Sequence, residues 1–259
     1  MPRETGKVLL VGAGPGAADL LTVRALRAIE GAQALLYDAL VAEEIIALAP
    51  SACVRVQVGK RAGRASMSQE TINRLMLRLA KRGLDVVRLK GGDPSIFGRS
   101  GEEVEFLRAH GIEVEIVPGV TAASAAAAQF GFPLTHRGEA RRLVMATARA
   151  GENQADDGDW ACLADPQTTA AFYMGRDTAG EVAARLIARG RKPSTPAIAV
   201  ENASRADARL IGARLDQLGQ AVEAAGFSGP VLLVVGEATA RARAWTQEAS
   251  YREALRTAR

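Results

Sequence analysis

Short apolar runs alternate with helical patterns through the first half of the chain. Val8–Val11 is followed by Leu20–Ile29, Ala34–Tyr37 by Val41–Leu48, and Val54–Val58 by Ser68–Leu79. Strands separated by whole helices return across a sheet in the same direction, so this pattern predicts a parallel sheet with crossover helices. The third helix is the best signalled. Ser66 and Gln69 read as a capping box, and Ile72, Leu75, Met76 and Leu79 repeat at i, i+3, i+4 and i+7. Leu84–Leu89 then predicts a fourth strand, Glu102–Ala109 a helix, Val114–Val117 a fifth strand, and Thr121–Gln129 an alanine-rich helix stopped by Gly131 and Pro133.

After Arg142 a second series begins. Leu143–Ala146, Ala170–Met174, Ile198–Val200 and Val231–Val235 read as strands, Ala179–Ala188 and Leu215–Ala225 as helices, and polar 151–159 as a loop. A boundary between Pro133 and Gly138 divides the chain into an N-terminal α/β domain, 1–136, and a C-terminal α/β domain, 137–259, with any ligand expected in the cleft between them. A basic tail from about Arg241 closes the sequence.

Composition narrows the functional classes. Apolar residues make up 48% and charged residues 24% of the chain, the profile of a soluble α/β protein. The N-terminus enters a short strand without the longer apolar region of a signal peptide, and no run approaches the roughly 20 apolar residues that span a bilayer. Cys53 and Cys162 lie far apart, and His110 and His136 have no further ligands at metal spacing, so neither a disulfide framework nor a metal site is expected. A reducing cytoplasm is the expected compartment. Of 33 basic residues only Lys7, Lys60, Lys81, Lys90 and Lys192 are lysine. That balance suits an anionic ligand recognised by guanidinium forks, or reflects a coding bias toward arginine. Without a basic run or interleaved aromatics, nucleic acid is not an expected partner.

Gly12-Ala13-Gly14-Pro15-Gly16-Ala17 follows a strand, opens the next helical pattern, and fits the GxGxxA variant of the dinucleotide fingerprint, with Asp38 about twenty residues on. An NAD-dependent oxidoreductase is therefore one reading. Pro15 removes an N–H from a loop whose work would be donating N–H groups to pyrophosphate, which favours a close-packed turn beside another ligand, or a purely structural turn.

The run from Leu89 through Lys90-Gly91-Gly92-Asp93-Pro94-Ser95-Ile96-Phe97-Gly98 to Arg99 lies at the carboxyl end of the fourth strand, where α/β sites form. With Val117-Pro118-Gly119-Val120-Thr121-Ala122-Ala123, it resembles the tetrapyrrole methylase family. Order and spacing are similar from Val8 to about Gly236, with supporting matches at Tyr37-Asp38, Val58-Gly59-Lys60-Arg61, Ser66 to Glu70, Pro133 to Arg137, Phe172 to Gly175, and Val200 to Ala203. Ala203 stands where the family commonly has glycine, Ala148-Arg149 where many members have Gly-His, and Arg64-Ala65 where histidine is frequent.

This resemblance implies two α/β domains of class III methyltransferase type, not a Rossmann fold, with S-adenosylmethionine folded between them. It assigns cofactor contacts to Pro15, Gly91, Gly92, Asp93, Ile96, Thr121, Ala122, Met174 and Ala203. Met174 alone would otherwise read as a core residue. The implied activity is methylation of uroporphyrinogen III at carbons 2 and 7, giving precorrin-2 through precorrin-1 and releasing S-adenosylhomocysteine. A methylase acting on a later precorrin is the alternative within the family. A cytoplasmic homodimer without a membrane partner is implied, and the short segment before Val8 leads to the expectation of a monofunctional protein.

An activated methyl needs positioning and one general base rather than a nucleophile or a metal. The resemblance makes Asp38 the proton acceptor and Lys60 the proton donor. Asp38 could instead cap a helix beginning near Val41, and Lys60 could bind a substrate carboxylate. Arg99 and Arg137 are assigned to the eight substrate carboxylates, or else to the solvated surface, with Glu102 orienting them or a pyrrole N–H.

Overall fold

The computed structural model describes residues 5–59, 67–148 and 157–243, apart from the side chains of 157–159. The chain divides into two compact units, Met1–Ala122 and Ala123–Arg259. The division falls ahead of the 133–138 stretch expected from sequence, because Ala123, Ala126 and Phe132 are buried in the core of the second unit.

The first unit is built on five parallel strands, β1 (Val8–Gly12), β2 (Ala34–Tyr37), β3 (Val54–Gln57), β4 (Val86–Lys90) and β5 (Val114–Val117), in the order β3-β2-β4-β1-β5. Placing β4 between β2 and β1 departs from the 3-2-1-4-5 order of the doubly wound dinucleotide fold. Successive strand side chains face opposite ways, so both faces of this sheet need cover. Val8, Leu10, Leu36 and Val86 pack beneath α3 (Gln69–Ala80) and α4 (Ser100–Ala109), against Met76 and Leu107. Val11, Leu35, Val87 and Leu89 pack on the other face, with Ala25 and Ile29 of α1 (Val23–Glu30) and Ile45 of the short α2 (Glu43–Ile46).

The sequence periodicity of α3 holds, with Ile72, Met76 and Leu79 buried, but its cap differs from expectation. Ser68 is the N-cap and accepts a hydrogen bond from the Thr71 N–H at 3.2 Å. Ser66 lies outside the described residues. With Ser68 as the cap, Gln69 is the first helical residue rather than the third, so it does not close a capping box; its amide donates to Asn73 Oδ1 and Glu103 Oε1, both at 3.0 Å.

The second unit is mixed rather than parallel. Its strands are β6 (Arg142–Thr147), β7 (Thr168–Tyr173), β8 (Pro196–Glu201), β9 (Arg209–Arg214) and β10 (Val231–Val235), ordered β6-β7-β10-β8-β9. Among the described residues, β6 and β7 pair in parallel, whereas β10 runs antiparallel to both β7 and β8, and β8 antiparallel to β9. On β10, Val231, Leu233 and Val235 face one core and Leu232 and Val234 the other, which is why this strand reads as a continuous apolar run. α5 (Ala122–Phe130) covers one face; α6 (Asp157–Ala164), α7 (Ala179–Ala188) and α8 (Leu218–Ala224) cover the other. Sequence reading missed β9, whose Gly212 and terminal arginines weaken the strand signal, and α6, which starts inside the stretch taken as a loop. No helix among the described residues is long and apolar enough to cross a membrane.

The carboxyl ends of β1, β4 and β5 meet backbone to backbone. Gly14 and Gly92 form an isolated antiparallel bridge, with Gly92 N donating to Gly14 O at 2.7 Å and Gly14 N to Gly92 O at 3.2 Å. A methyl on Gly119 would collide with Gly92 O and stand 2.9 Å from Gly12 Cα. Gly119→Ala is therefore expected to destabilise the first unit by about 1–3 kcal/mol through overpacking, measurable as a lowered denaturant midpoint. A midpoint unchanged from wild type would mean that these loops can separate freely.

Candidate active site

The glycine loop after β1 is not arranged to hold a diphosphate. Ala13 N–H is consumed by Lys90 O at 2.8 Å, Gly14 N–H by Gly92 O, and Pro15 has none. The loop also does not open the helix directly, as the sequence had suggested. A 3-10 turn at Ala18–Leu20 intervenes, and α1 starts at Val23 with Thr22 as its cap. The polar N-terminus of α1 is thereby displaced from the glycines, which removes the dinucleotide geometry.

Between the ends of β2, β3 and β4, and beneath the start of α3, lies a cavity of about 680 Å³, a size within the ordinary range for ligand sites. Asp38, Gly59, Gln69, Arg88, Lys90, Gly91, Ile96, Phe97 and Arg99 are among its lining residues. Asp38 is not a helix cap. α2 begins at Glu43 with Ala42 at its N-cap, and the Asp38 carboxylate instead pairs with Arg88, Oδ1 to Nη2 at 2.6 Å. Gly59 allows β3 to end against this loop, since a methyl there would collide with Ala39 N and lie 3.0 Å from Asp38 Cα. Lys60, the residue after Gly59, lies outside the described residues.

Beneath Asp38 is a buried group of charges that the sequence reading did not assign to a site. Arg88 and Lys90 stand on the same face of β4, and their partner is Glu103 of α4, which is fully buried. Arg88 Nε reaches Glu103 Oε1 at 3.3 Å, and Lys90 Nζ reaches Oε2 at 2.8 Å. Burial, and next the adjacent Arg88, push the Lys90 ammonium below its ordinary pKa, against the attraction of Glu103. A signal existed in the sequence, since two basic residues interrupt an apolar central strand. The helical phase of Val104 and Leu107 also puts Glu103 on the core side of α4.

Along the loop after β4 the backbone is strained. Phe97 and Arg99, on either side of Gly98, have φ of 53° and 55°, which non-glycine residues rarely adopt away from functional sites. Phe97 is nonetheless 44% exposed. Arg99 forks Glu102, with Nε to Oε1 at 2.8 Å and Nη2 to Oε2 at 2.7 Å, in a pair more than half exposed. The pair raises the pKa of Arg99 and lowers that of Glu102 through the same hydrogen bonds. An exposed pair of this kind is worth little in water, so the fork can exchange Glu102 for another carboxylate.

Asp93 has a structural task that sequence could not disclose. Its Oδ2 accepts from Gly119 N at 2.9 Å, while Oδ1 accepts from Ser95 N at 2.8 Å and from the Ser95 hydroxyl, so it ties the β4 loop to the β5 loop. Pro15 after β1, Gly92 after β4, Thr121 after β5 and Ala122 at the start of α5 lie outside the cavity lining, whereas Gly91 and Ile96 line it.

The remaining candidates belong to the second unit. Met174 follows β7 at φ 58° and is 49% exposed, so it is not the core residue its type suggests. Ala203 is buried between Asn202 (φ 53°) and Ser204 (φ 69°). Their turn is fixed from both sides. Buried Glu201 accepts from Ser228 N and Gly229 N, each at 2.6 Å, and from Arg209 Nε at 2.7 Å, while Gln129 of α5 accepts from Ser204 N at 2.7 Å. Arg137 is exposed in a turn closed by the His136–Ala140 bridge.

Burial pulls the Asp93 carboxyl upward, but hydrogen bonds from the Ser95 hydroxyl, Gly119 N–H and Ser95 N–H outweigh it and hold the pKa below the ordinary value. A group lowered on folding contributes stability above its unfolded pKa of about 3.9, and that contribution is lost as pH falls through the folded value. Asp93→Ala is therefore expected to cost about 1–3 kcal/mol at pH 7, and the gap from wild type should begin to narrow as pH falls below about 4. Denaturant titrations at pH 7, 5 and 3.5 measure it. A constant gap would assign the loss to something other than the carboxylate.

Residues 7–219 match the profile of the Tetrapyrrole (Corrin/Porphyrin) Methylases. The chain is 46% identical over 237 residues to a uroporphyrinogen-III C-methyltransferase of Paracoccus denitrificans, covering 92% of this chain and 83% of that one. It is also 46% identical over 232 residues to a siroheme synthase of Methylococcus capsulatus, covering 90% of this chain but only 49% of the relative, so it spans about half the length of such proteins. A crystal structure of the uroporphyrin-III C-methyl transferase of Thermus thermophilus, complexed with S-adenosylhomocysteine, superposes with a TM-score of 0.77 at 41% identity, covering 90% of this chain and 99% of that one. A cobalt precorrin-4 methyltransferase superposes with a TM-score of 0.81 at 28% identity, covering 90% and 95%. Its non-Rossmann strand order, its loops and the extent of these matches establish that the chain belongs to the tetrapyrrole methylase family.

Proposed function

We propose that this chain transfers methyl groups from S-adenosylmethionine to carbons 2 and 7 of uroporphyrinogen III, forming precorrin-2 through monomethylated precorrin-1. The observation that carries this reading is the cavity at the carboxyl ends of the first sheet, where the partly exposed Asp38 carboxylate and the Arg99 fork border the same space. A base beside an exchangeable carboxylate anchor is what a polycarboxylate substrate that must lose a proton requires.

The strained, half-exposed Met174 and the flanked Ala203 turn suit a ligand of the donor's mixed polarity; the family resemblance assigns further donor contacts to Pro15, Asp93 and Thr121. When bound, the donor supplies an already activated methyl. Arg99, released from Glu102, pairs with an acetate or propionate of the macrocycle; the family resemblance assigns Arg137 as a second anchor. Asp38 accepts the proton that the macrocycle gives up after carbon gains the methyl. Lys60 follows the Asp38-facing Gly59 and is assigned as proton donor or carboxylate contact. Cys53 and Cys162 are free thiols, which supports a cytoplasmic protein, and the family resemblance supports a homodimer.

Methylation of a later precorrin is the second reading, favoured by the TM-score of 0.81 to the cobalt precorrin-4 methyltransferase. Mass spectrometry over a time course with uroporphyrinogen III should reveal gain of one methyl and then two. A product halting at one methyl with donor in excess, or methylation of a later precorrin alone, would favour the second reading.

Asp38→Asn should keep donor affinity by calorimetry while turnover falls about 10²–10⁴-fold, the scale of general-base catalysis. Wild-type turnover in that variant removes Asp38 from the chemistry. Arg99→Lys keeps charge but loses the fork, so it should raise KM for the tetrapyrrole more than KM for the donor. Equal KM values for the tetrapyrrole would return Arg99 to a surface role.

A further inference from the structure

The charges beneath the cavity do not balance without Asp38. Arg88 and Lys90 are both buried on β4, and among the described residues Glu103 is the one buried anion that faces them. The surplus positive charge is met by the Asp38 carboxylate, whose side chain is 30% exposed at the cavity wall. Buried ion groups are weak contributors to stability, since well-packed apolar residues usually do as well. Two cations on the core face of a central strand therefore call for a reason other than folding.

The geometry supplies one. Each edge of the Arg88 guanidinium is committed: Nε to Glu103 Oε1 at 3.3 Å, Nη1 to Leu89 O at 3.2 Å, and Nη2 to Asp38 Oδ1 at 2.6 Å. Glu103 is itself held by Lys90 at 2.8 Å and by Gln69 at 3.0 Å, so the guanidinium has no freedom to swing. Among the described residues Asp38 Oδ2 accepts no hydrogen bond. One carboxylate oxygen is thus anchored to the interior and the other is left at the cavity.

We propose that Arg88, clamped by Glu103, is a positioning residue that fixes the Asp38 carboxylate with one oxygen presented to the substrate. This rests on the reading of Asp38 as the proton acceptor. Arg88 borders the same cavity, but each guanidinium nitrogen is already engaged by Glu103, Leu89 O or Asp38, so its proposed effect runs through Asp38. Its removal leaves Glu103 paired with Lys90, so the interior charge stays compensated and the fold should survive. A double-mutant cycle tests the assignment, because a residue acting through another has no effect once that other is disabled.

Four proteins are compared at saturating donor: wild type, Arg88→Met, Asp38→Asn and the double variant, with donor affinity measured by calorimetry as a control on folding. Arg88→Met should lower kcat about 10–100-fold, the usual cost of losing an orienting partner, with donor affinity unchanged. In the Asp38→Asn background the same substitution should change kcat less than about twofold, the losses failing to multiply. Arg88→Lys, too short to reach Glu103 and Asp38 together, should recover only part of kcat, and it replaces Arg88→Met in the cycle should that variant fail to fold. Multiplying losses with an inactive Asp38→Asn, or wild-type kcat in Arg88→Met, would overturn the positioning role and leave the base reading standing. Wild-type turnover in Asp38→Asn would overturn the base reading, and this inference with it.

Discussion

Three strand ends of the first unit touch through backbone alone. Gly12, Gly92 and Gly119 approach so closely that a single methyl on Gly12 would stand 2.6 Å from Gly119 N. Without side chains at these points, the loops after β1, β4 and β5 can share hydrogen bonds, and Asp93 adds a clamp from one loop to the next. The same contact spends the N–H groups that a dinucleotide site would need. One steric condition therefore shapes the candidate site and excludes its main rival.

Next to this apolar, side-chain-free junction sits its opposite, a cluster of four charges on and beside the central strand. β4 carries Arg88 and Lys90 on the face where α3 and α4 lie, and Glu103 comes down from α4 to meet them, itself held by a hydrogen bond from Gln69 of α3. A central strand of a covered parallel sheet normally reads as uninterrupted apolar sequence. Here every second residue near the carboxyl end is a cation, and the cost of burying it is offset by Glu103 from α4 and Asp38 from the loop after β2. The cluster surfaces at Asp38, so the fold's interior electrostatics and its candidate chemistry are continuous.

Much of the architecture was legible because apolar periodicity directly encodes which faces are covered. β2, β5, α7 and β10 lie at the positions expected from sequence. Misreadings occurred where local signals competed. Ser66 and Gln69 read as a capping box, but the helix begins at Gln69 and Ser68 caps it, accepting from Thr71 N–H. β9 carries a central glycine and charged ends, so its strand state comes from pairing with β8 rather than from propensity. Asp38 could be read as a cap because its distance in sequence to Arg88 hides their contact in space.

The sequence by itself determined the alternation of strands and helices, the glycine-rich turns, and the motif set that marks the family, because each depends on residues close together along the chain. The strand order, the place of β4 between β2 and β1, the ion cluster around Glu103 and the work of Asp93 as a tie between loops were decided only by tertiary structure. Contacts between residues far apart in sequence carry no periodic trace. A buried charge is tolerated or forbidden according to what the rest of the fold brings against it.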